Sequence, residues 1–238
     1  MTILHVTDFH FNKRWFDWLR HRAPPHDLAV ISGDLLDLAG ATPHRQQIAW
    51  VSEWLSRYPR PLCVASGNHD LEWHDQTGRW MPAYWLRYIA NPNLWVDSQR
   101  VELNGVSVLN LGCATRPKGG EADIWVAHAA PKGTLVAART SGGDGGDPDL
   151  NASVARYAPR LVLSGHVHDP LHWRQHEDAT LFLNPGRAPQ AEVPNHILVR
   201  TDDLSCGFFG TLREESREGA TFAGSPQDPE EIPASAVA

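Results

Sequence analysis

Side chains that bind metal ions or move protons follow short apolar runs at five places in this 238-residue sequence. At three of these places a glycine stands directly before the donor. All are carboxylate, amide or imidazole donors, a set typical of sites for divalent Mn, Fe, Zn or Mg rather than of structural thiolate zinc sites. The donors are Asp8, His10, Asp34, Asn68, His69, His128, His166 and His168.

The densest of the five places is Gly-Asn-His-Asp at residues 67–70, directly after the apolar run 62–65. Glycine permits a sharp turn there, and open α/β sheets place their ligands just beyond the carboxyl ends of strands. Taken alone, the segment also fits an ordinary turn with an Asx hydrogen bond, but this interpretation is the less favoured one. The same arrangement at four further strand ends favours a shared site over five separate turns.

Seven ligands are more than one ion needs, but they suit two ions that share a bridging carboxylate. Two dications outweigh two carboxylates, so the pocket would be positive and would attract an anion, most naturally a phosphate ester. Two ions about 3.5–4 Å apart can hold both the attacking and the transferred oxygens of an in-line displacement. The donor set therefore predicts phosphoryl chemistry.

Composition restricts the class of partner. A net charge of −7 argues against a dedicated nucleic-acid surface, which usually carries a basic stripe. Three scattered cysteines, Cys63, Cys113 and Cys206, predict free thiols in a reducing compartment. Neither a signal peptide nor an apolar stretch of about 20 residues is evident. We expect a cytoplasmic protein without a membrane partner, and the sequence does not indicate its oligomeric state.

The elements that must position the donors alternate between apolar runs and helical patterns, which predicts an α/β class. Thr42 and Pro43 fit the N-cap and first position of the second helix. Residues 1–212 are expected to form one domain, and residues 213–238 a flexible tail rich in charge, Pro, Ala and Ser. The predicted helices are 12–22, 42–58 and 148–157, and the predicted strands are 3–7, 28–32, 62–65, 94–96, 101–103, 106–111, 123–127, 161–164, 171–173, 180–183, 197–200 and 206–212.

Four features have two interpretations each. The aromatic-rich segment 71–91 fits a lid that stacks a base or aromatic leaving group, but a helix packed on the sheet is favoured because aromatic stripes are usually core. The glycine-rich loop 141–147 fits either a mobile rim of the site or a linker. Asp37 is interpreted as a helix-start residue rather than a partner of a ligand. Asn184 and Arg187 are assigned to a turn rather than to the site.

The order Asp-x-His, Gly-Asp, Gly-Asn-His-Asp, His, Gly-His-x-His over residues 8–168 resembles the calcineurin-like metallophosphoesterases. The resemblance implies a four-layer αββα sandwich with two mixed β-sheets. It also implies that His69 contacts the phosphoryl group and protonates the leaving oxygen, while Asp70 orients the His69 ring. The implied ligands are Asp8, His10, Asp34 and His168 for one metal ion, and Asp34, Asn68, His128 and His166 for the other, with Asp34 bridging.

This resemblance predicts hydrolysis of a small phosphate ester by a metal-bridging hydroxide. The segments 128–133 and 160–166 are most similar to the small single-domain branch that acts on phosphodiesters, including cyclic nucleotides. His128 is followed by Ala-Ala-Pro where relatives often have x-Pro-Pro, so phosphomonoesterase and protein phosphatase activities remain alternatives. A non-catalytic binding scaffold is a further alternative, but retention of every ligand and of His69 favours an enzyme.

Overall fold

The computed structural model describes residues 1–74, 76–114 and 119–211. The α-helices are α1 (Lys13–His21), α2 (His44–Ser56) and α3 (Pro148–Tyr157), and a 3-10 helix spans Tyr84–Tyr88. The strands are β1 (Thr2–Val6), β2 (Leu28–Ile31), β3 (Leu62–Val64), β4 (Glu72–His74), β5 (Arg79–Met81), β6 (Leu94–Trp95), β7 (Arg100–Leu103), β8 (Val106–Leu111), β9 (Ile124–Ala127), β10 (Leu161–Leu163), β11 (Arg174–Glu177), β12 (Thr180–Leu183), β13 (His196–Arg200) and β14 (Cys206–Phe209).

Twelve of the described strands form two six-stranded mixed sheets. The first has the order β14-β13-β1-β2-β3-β6, and the second has the order β11-β12-β10-β9-β8-β7. In the first sheet β1, β2, β3 and β6 run parallel, and in the second β8, β9, β10 and β12 do so. Parallel strands end at the same edge of a sheet, so the loops after β1, β2 and β3 are neighbours, as are those after β9 and β10.

The hydrophobic core divides the fold into four layers. Alternation along β1 points Ile3 toward the second sheet, where it packs with Ile124, and Leu4 toward α1, where it packs with Trp15. Trp125 lies on the outer face of the second sheet, in a third cluster with residues of α3. Helices, sheet, sheet and helix thus follow one another, which confirms the predicted αββα sandwich.

Local sequence signals determine where α1 and α3 begin. The Asn12 side chain accepts a hydrogen bond from the N–H of Arg14, as an N-cap residue does. Asp147 caps α3 in the same way, and Pro148 takes the first helical position, where its missing N–H costs nothing. Both helices were predicted, α3 with the same bounds.

The prediction of a helix packed on the sheet in residues 71–91 is wrong. The segment contains a separate two-stranded hairpin, β4-β5, followed by the 3-10 helix. Trp73 pairs directly opposite Trp80 across the hairpin, and Gly78 adopts a φ of +60° in its turn. Paired aromatic residues favour strands, and a left-handed glycine ends a helix rather than continuing it.

Two further elements lie at positions that differ slightly from the predicted ones. Pro43, not Thr42, occupies the capping position of α2, which begins at His44. Strand β11 lies at Arg174–Glu177 rather than at 171–173, and pairs antiparallel with β12. It is an edge strand with two exposed residues, so its sequence lacks the apolar run on which the prediction relied. The predicted tail lies outside the described residues.

Composition predicted that the cysteines are free thiols and that the protein has no membrane partner. All three cysteines are described, and none forms a disulfide. Burial raises the pKa of the Cys63 thiol to about 12, so this cysteine stays protonated at neutral pH. Among the described residues, every helix is too short or too polar to cross a bilayer.

Candidate metal centre

The predicted donors converge where the carboxyl ends of the two sheets meet. Loops after β1, β2 and β3 supply those from the first sheet, and loops after β9 and β10 supply those from the second. The loops are joined by direct bonds, such as the N–H of His10 to the carbonyl of Asp34 at 2.9 Å. The convergence brings together Asp8, His10, Asp34, Asn68, His69, His128, His166 and His168.

One group of donors consists of Asp8, His10 and His168. The Nε2 atom of His168 lies 3.3 Å from Oδ1 of Asp8 and 3.1 Å from Nε2 of His10. His10 Nε2 is also 3.7 Å from Asp8 Oδ1. Two imidazole nitrogens and a carboxylate oxygen that point at one another form an arrangement that a divalent ion can occupy.

A second group consists of Asp34, Asn68, His128 and His166. The Nε2 atom of His128 lies 3.0 Å from Oδ1 of Asn68 and 3.2 Å from Nδ1 of His166. It is also 3.4 Å from Oδ2 of Asp34. This group combines two imidazoles, an amide oxygen and a carboxylate.

Asp34 belongs to both groups through a single oxygen. Its Oδ2 atom is 3.6 Å from Nε2 of His10 and 3.4 Å from Nε2 of His128. Its Oδ1 atom accepts a hydrogen bond of 2.9 Å from the N–H of His69, which fixes the rotation of the carboxylate. Asp34 therefore stands between the two groups, as a bridging ligand must.

Backbone conformation is part of how the donors converge. Asp8, Asp34 and His166 adopt positive φ angles of 53°, 52° and 67°, which are uncommon outside glycine and concentrate at functional sites. A side chain at Gly67 would collide with the Asp34 carboxylate, and one at Gly165 would collide with that of Asp8. The glycines that mark the strand ends thus make room for a donor that follows another strand.

The electrostatics of the centre suit a cation. Burial alone would raise the pKa of Asp8 and Asp34, but the surrounding imidazoles hold both below their usual range. Burial opposes protonation of His128, yet Asp34 and Asp8 raise its pKa to about 10. Oδ1 of Asp8 is buried without a hydrogen-bond partner among the described residues. Two buried carboxylates that attract positive charge, one with an unsatisfied oxygen, fit divalent ions.

The comparisons with known proteins agree with this geometry. The family description for calcineurin-like phosphoesterases matches residues 1–170. The chain belongs to the calcineurin-like phosphoesterase family. It is therefore a metal-dependent phosphoesterase, a hydrolase that acts on phosphate esters and uses divalent ions.

Solved structures show how widely the fold of this phosphoesterase is shared. One crystal structure superposes with a TM-score of 0.62 at 14% identity, covering 87% of this chain and 98% of that chain. An archaeal phosphodiesterase superposes with a TM-score of 0.50 at 15% identity, covering 88% of this chain and 99% of that chain. No protein with a curated description matches the sequence.

The predicted acid pair of this phosphoesterase is arranged differently from the expectation. The Nε2 atom of His69 lies 3.9 Å from Oδ2 of Asp34, but its Nδ1 accepts a hydrogen bond of 3.1 Å from the N–H of Leu38. The Asp70 carboxylate instead accepts from the N–H groups of Leu36 and Gly67 at 2.9 and 2.8 Å. Asp70 thus organises the loop around Asn68. The expectation that Asp70 orients the His69 ring is wrong.

Arg187 approaches the site of the phosphoesterase more closely than predicted. Its Nε donates a hydrogen bond of 2.9 Å to the carbonyl of Asp8, and its guanidinium lies over the ring of Trp15. Asn184 makes the turn as predicted, accepting from the N–H of Gly186, but its amide also donates to the carbonyl of Gly165. The sequence contains a signal for this position, because the apolar run 180–183 is followed by Gly186, as the ligand-bearing strands are followed by glycines.

Asp37, in the loop after β2, has neither of the roles considered for it. Its carboxylate accepts a hydrogen bond of 2.9 Å from the N–H of Ala39, and its own N–H donates to the side chain of Gln47. It therefore stabilises the loop that leads to α2.

A cavity of about 150 Å³ adjoins the second group of donors. Asn68, His128 and His166 line its polar side, and its apolar side includes Leu111, Ala127 and Leu150. Asp147, the last residue of the glycine-rich loop, also lines the cavity, and the Asp147 N–H donates to the carbonyl of Ala130. The end of the loop thus borders the site, which favours the interpretation as a rim over that as a linker.

Proposed function

We propose that this protein hydrolyses phosphodiesters with two divalent ions, Mn²⁺ first among the candidates. The observation that carries the proposal is the position of Oδ2 of Asp34, which lies 3.6 Å from His10 and 3.4 Å from His128. A carboxylate oxygen shared between two sets of donors is what a two-ion site requires. Asp8, His10, Asp34 and His168 would hold one ion, and Asp34, Asn68, His128 and His166 the other.

The ions and the protein side chains would have different roles in the reaction. When bound, the two ions would polarise the phosphoryl oxygens and lower the pKa of a water so that it attacks as hydroxide. Asp34 and Asp8 would supply the fixed negative charge that retains the ions. Arg187 holds the Asp8 loop from behind through the Asp8 carbonyl, which keeps the carboxylate directed into the centre.

His69 is proposed to contact the phosphoryl group and, as an imidazolium whose Nδ1 has been released from the N–H of Leu38, to protonate the leaving oxygen through Nε2, which returns the ring to its neutral form. Because the N–H of Leu38 donates to Nδ1, the neutral ring must carry its proton on Nε2. Nε2 is the atom that faces Asp34 and the centre. The backbone of Leu38 thus selects the tautomer that presents a donor where a negative oxygen would develop.

The shape of the site favours a diester over a monoester. A diester carries a second organic substituent, and the cavity beside Asn68 offers apolar walls, including Leu111 and Leu150, in which to place it. The archaeal phosphodiesterase shares the fold, which makes diesters, cyclic nucleotides included, the first substrates to examine.

The test uses the full-length protein, stripped of metal by a chelator and reloaded separately with Mn²⁺, Fe²⁺, Zn²⁺ and Mg²⁺. Turnover of bis(p-nitrophenyl) phosphate, p-nitrophenyl phosphate and a panel of cyclic nucleotides is compared. The proposal expects metal-restored turnover that is faster for the diester than for the monoester. Faster monoester turnover would support the phosphomonoesterase alternative, and no turnover with any ion would support the scaffold alternative.

We further propose a cytoplasmic location, supported by the absence of disulfides among the three cysteines, all of which are described. Fractionation of the cells that produce the protein tests this, and recovery outside the cytoplasm would contradict it.

A further inference from the structure

The hairpin β4-β5 exposes two tryptophans side by side. Trp73 and Trp80 are 49% and 47% exposed, although indole rings of this size are usually largely buried. They lie directly opposite each other on one face of the hairpin, with ring centroids 5.3 Å apart and planes at 68°. The two rings form an aromatic corner with one open side.

This corner is connected to the metal centre by direct contacts. The ring of Trp80 lies edge-on to that of His44, with centroids 6.5 Å apart. Nε2 of His44 in turn donates a hydrogen bond of 3.1 Å to the carbonyl of His69. The ring of His69 is 4.5 Å from that of His10 in the first donor group. A continuous series of contacts thus leads from the metal centre to the aromatic corner through His10, His69, His44 and Trp80.

The hairpin is also held firmly at its base. The carboxylate of Glu72 in β4 accepts a hydrogen bond of 3.2 Å from the N–H of Trp85, and the Trp85 indole donates to the carbonyl of Asp70 at 2.9 Å. The exposed tryptophans are therefore fixed relative to the loop that carries Asn68 and His69. Such a fixed position is what a binding surface needs and what a freely moving loop lacks.

We propose that Trp73 and Trp80 form a stacking subsite for a nucleobase carried by the substrate. The inference rests on the proposed function, because it takes His69 to face the leaving oxygen. A leaving group that extends past His69 meets His44 and then the aromatic corner. A nucleoside has this form, with a sugar next to the phosphate and a flat aromatic base beyond it. The subsite would make nucleotide diesters the preferred substrate class.

A basic side chain stands beside the aromatic corner. His44 contacts the ring of Trp80, whereas Arg79 and His74 pair with each other on the opposite face of the hairpin. A basic side chain next to exposed aromatic rings suits a stacked base and its phosphate. Because the aromatic corner is connected to the metal centre, one nucleotide would place its phosphate at the metal centre and its base on the corner.

The experiment measures binding of two ligands that differ only by the base. The full-length Mn²⁺-loaded protein is titrated calorimetrically with adenosine 5′-monophosphate and with ribose 5-phosphate. Because stacking of one base on aromatic side chains strengthens binding by about tenfold or more, wild type should prefer the nucleotide by about that factor. Trp80→Ala should reduce the ratio to near one, and Trp80→Phe should restore a large part of it.

The matched control is Tyr88→Ala, which removes an aromatic ring that is 86% exposed on the 3-10 helix and lies outside the corner. It should keep the wild-type ratio. A wild type without preference for the nucleotide, or a Trp80→Ala variant that retains the preference, would overturn the inference. So would a change of oligomeric state in Trp80→Ala at an unchanged ratio, which would assign the corner to a protein contact.

Failure of the inference can be told apart from failure of the proposed function. Each variant is also assayed for Mn²⁺-dependent turnover of bis(p-nitrophenyl) phosphate. Turnover by wild type without a nucleotide preference would remove the subsite and leave the phosphodiesterase. A preference that depends on Trp80, without turnover of any ester, would retain the subsite and remove the proposed reaction.

Discussion

The backbone N–H of His166 donates a hydrogen bond of 3.0 Å to Oδ2 of Asp8, although 158 positions separate the two residues. The bond joins the loop after β10 in one sheet to the loop after β1 in the other. It satisfies one oxygen of the carboxylate and leaves the other, buried and without a hydrogen-bond partner among the described residues, directed toward His10 and His168. One hydrogen bond therefore both links the two sheets and orients a carboxylate of the metal centre.

Removal of the shared carboxylate should empty the centre. Asp34→Asn replaces a charged oxygen that faces both donor groups, so metal retained after gel filtration, measured by elemental analysis, should fall to below one ion per chain. Loss of ions should reduce diester turnover by at least about 10³-fold, since both Lewis acids are affected. The control is Asp37→Asn, three positions away, whose carboxylate serves a backbone turn and should not affect metal content. Equal metal content in the two variants would contradict the assignment.

His69 should matter most when the leaving group needs a proton. His69→Ala should reduce kcat by about 10²–10⁴-fold for a diester with an alkoxide leaving group, the usual contribution of a general acid. The loss should be much smaller for a nitrophenyl diester, because nitrophenolate leaves without protonation. Metal content serves as the control and should match wild type. The same loss for both leaving groups would contradict the acid role and indicate binding alone.

Arg187 should stabilise the fold as well as the centre. Arg187→Ala removes a charged donor from the carbonyl of Asp8, which should lower the free energy of unfolding by about 1.5–3 kcal/mol. Urea unfolding followed by tryptophan fluorescence measures the change. Arg200→Ala, at an exposed position paired with Asp202, is the control and should change the stability by less than about 1 kcal/mol. Equal unfolding midpoints for the two variants would argue against a role for Arg187.

His5 should make the protein sensitive to mild acid. Burial lowers the pKa of His5 from 6.5 to about 3, so the native ring stays neutral while the unfolded ring takes up a proton below pH 6.5. Stability should therefore fall as the pH decreases through about 6.5 toward 3, by about 2 kcal/mol between pH 7.5 and 5 for this group.

The measurement for His5 compares urea unfolding at pH 7.5 and pH 5 in wild type and in His5→Asn. The variant should be less stable at pH 7.5, because the bond between Nε2 and Ser32 is altered, but should lose less stability at pH 5. His21→Asn, on the exposed face of α1, should keep the wild-type difference. An unchanged pH dependence in His5→Asn would show that other groups cause it.

The convergence of the candidate ligands could be predicted from the sequence because their positions follow from simple rules. Short apolar runs are buried strands, and a glycine after such a run marks a place where the backbone turns and a neighbouring donor approaches. Gly67 and Gly165 both do this in the structure. Parallel strands then bring the donors to one edge without further information.

The aromatic hairpin and the role of Arg187 could not be predicted in this way. Hydrophobicity indicates burial, and Trp73 and Trp80 contradict it because their rings remain half exposed. Arg187 follows a turn at a strand end, which is a signal that it could approach the site, but its bond to Asp8 from 179 positions away is defined only by the folded chain. The orientation of the His69 ring likewise depends on Leu38, a contact between loops that only the folded backbone defines.

The most direct test of the account is the position of bound metal. Crystals of the full-length protein grown with Mn²⁺ would give anomalous scattering peaks at the ions. The account predicts two peaks about 3.5–4 Å apart, with Oδ2 of Asp34 bonded to both. A single peak, or two peaks of which one lies away from Asp34, would contradict it.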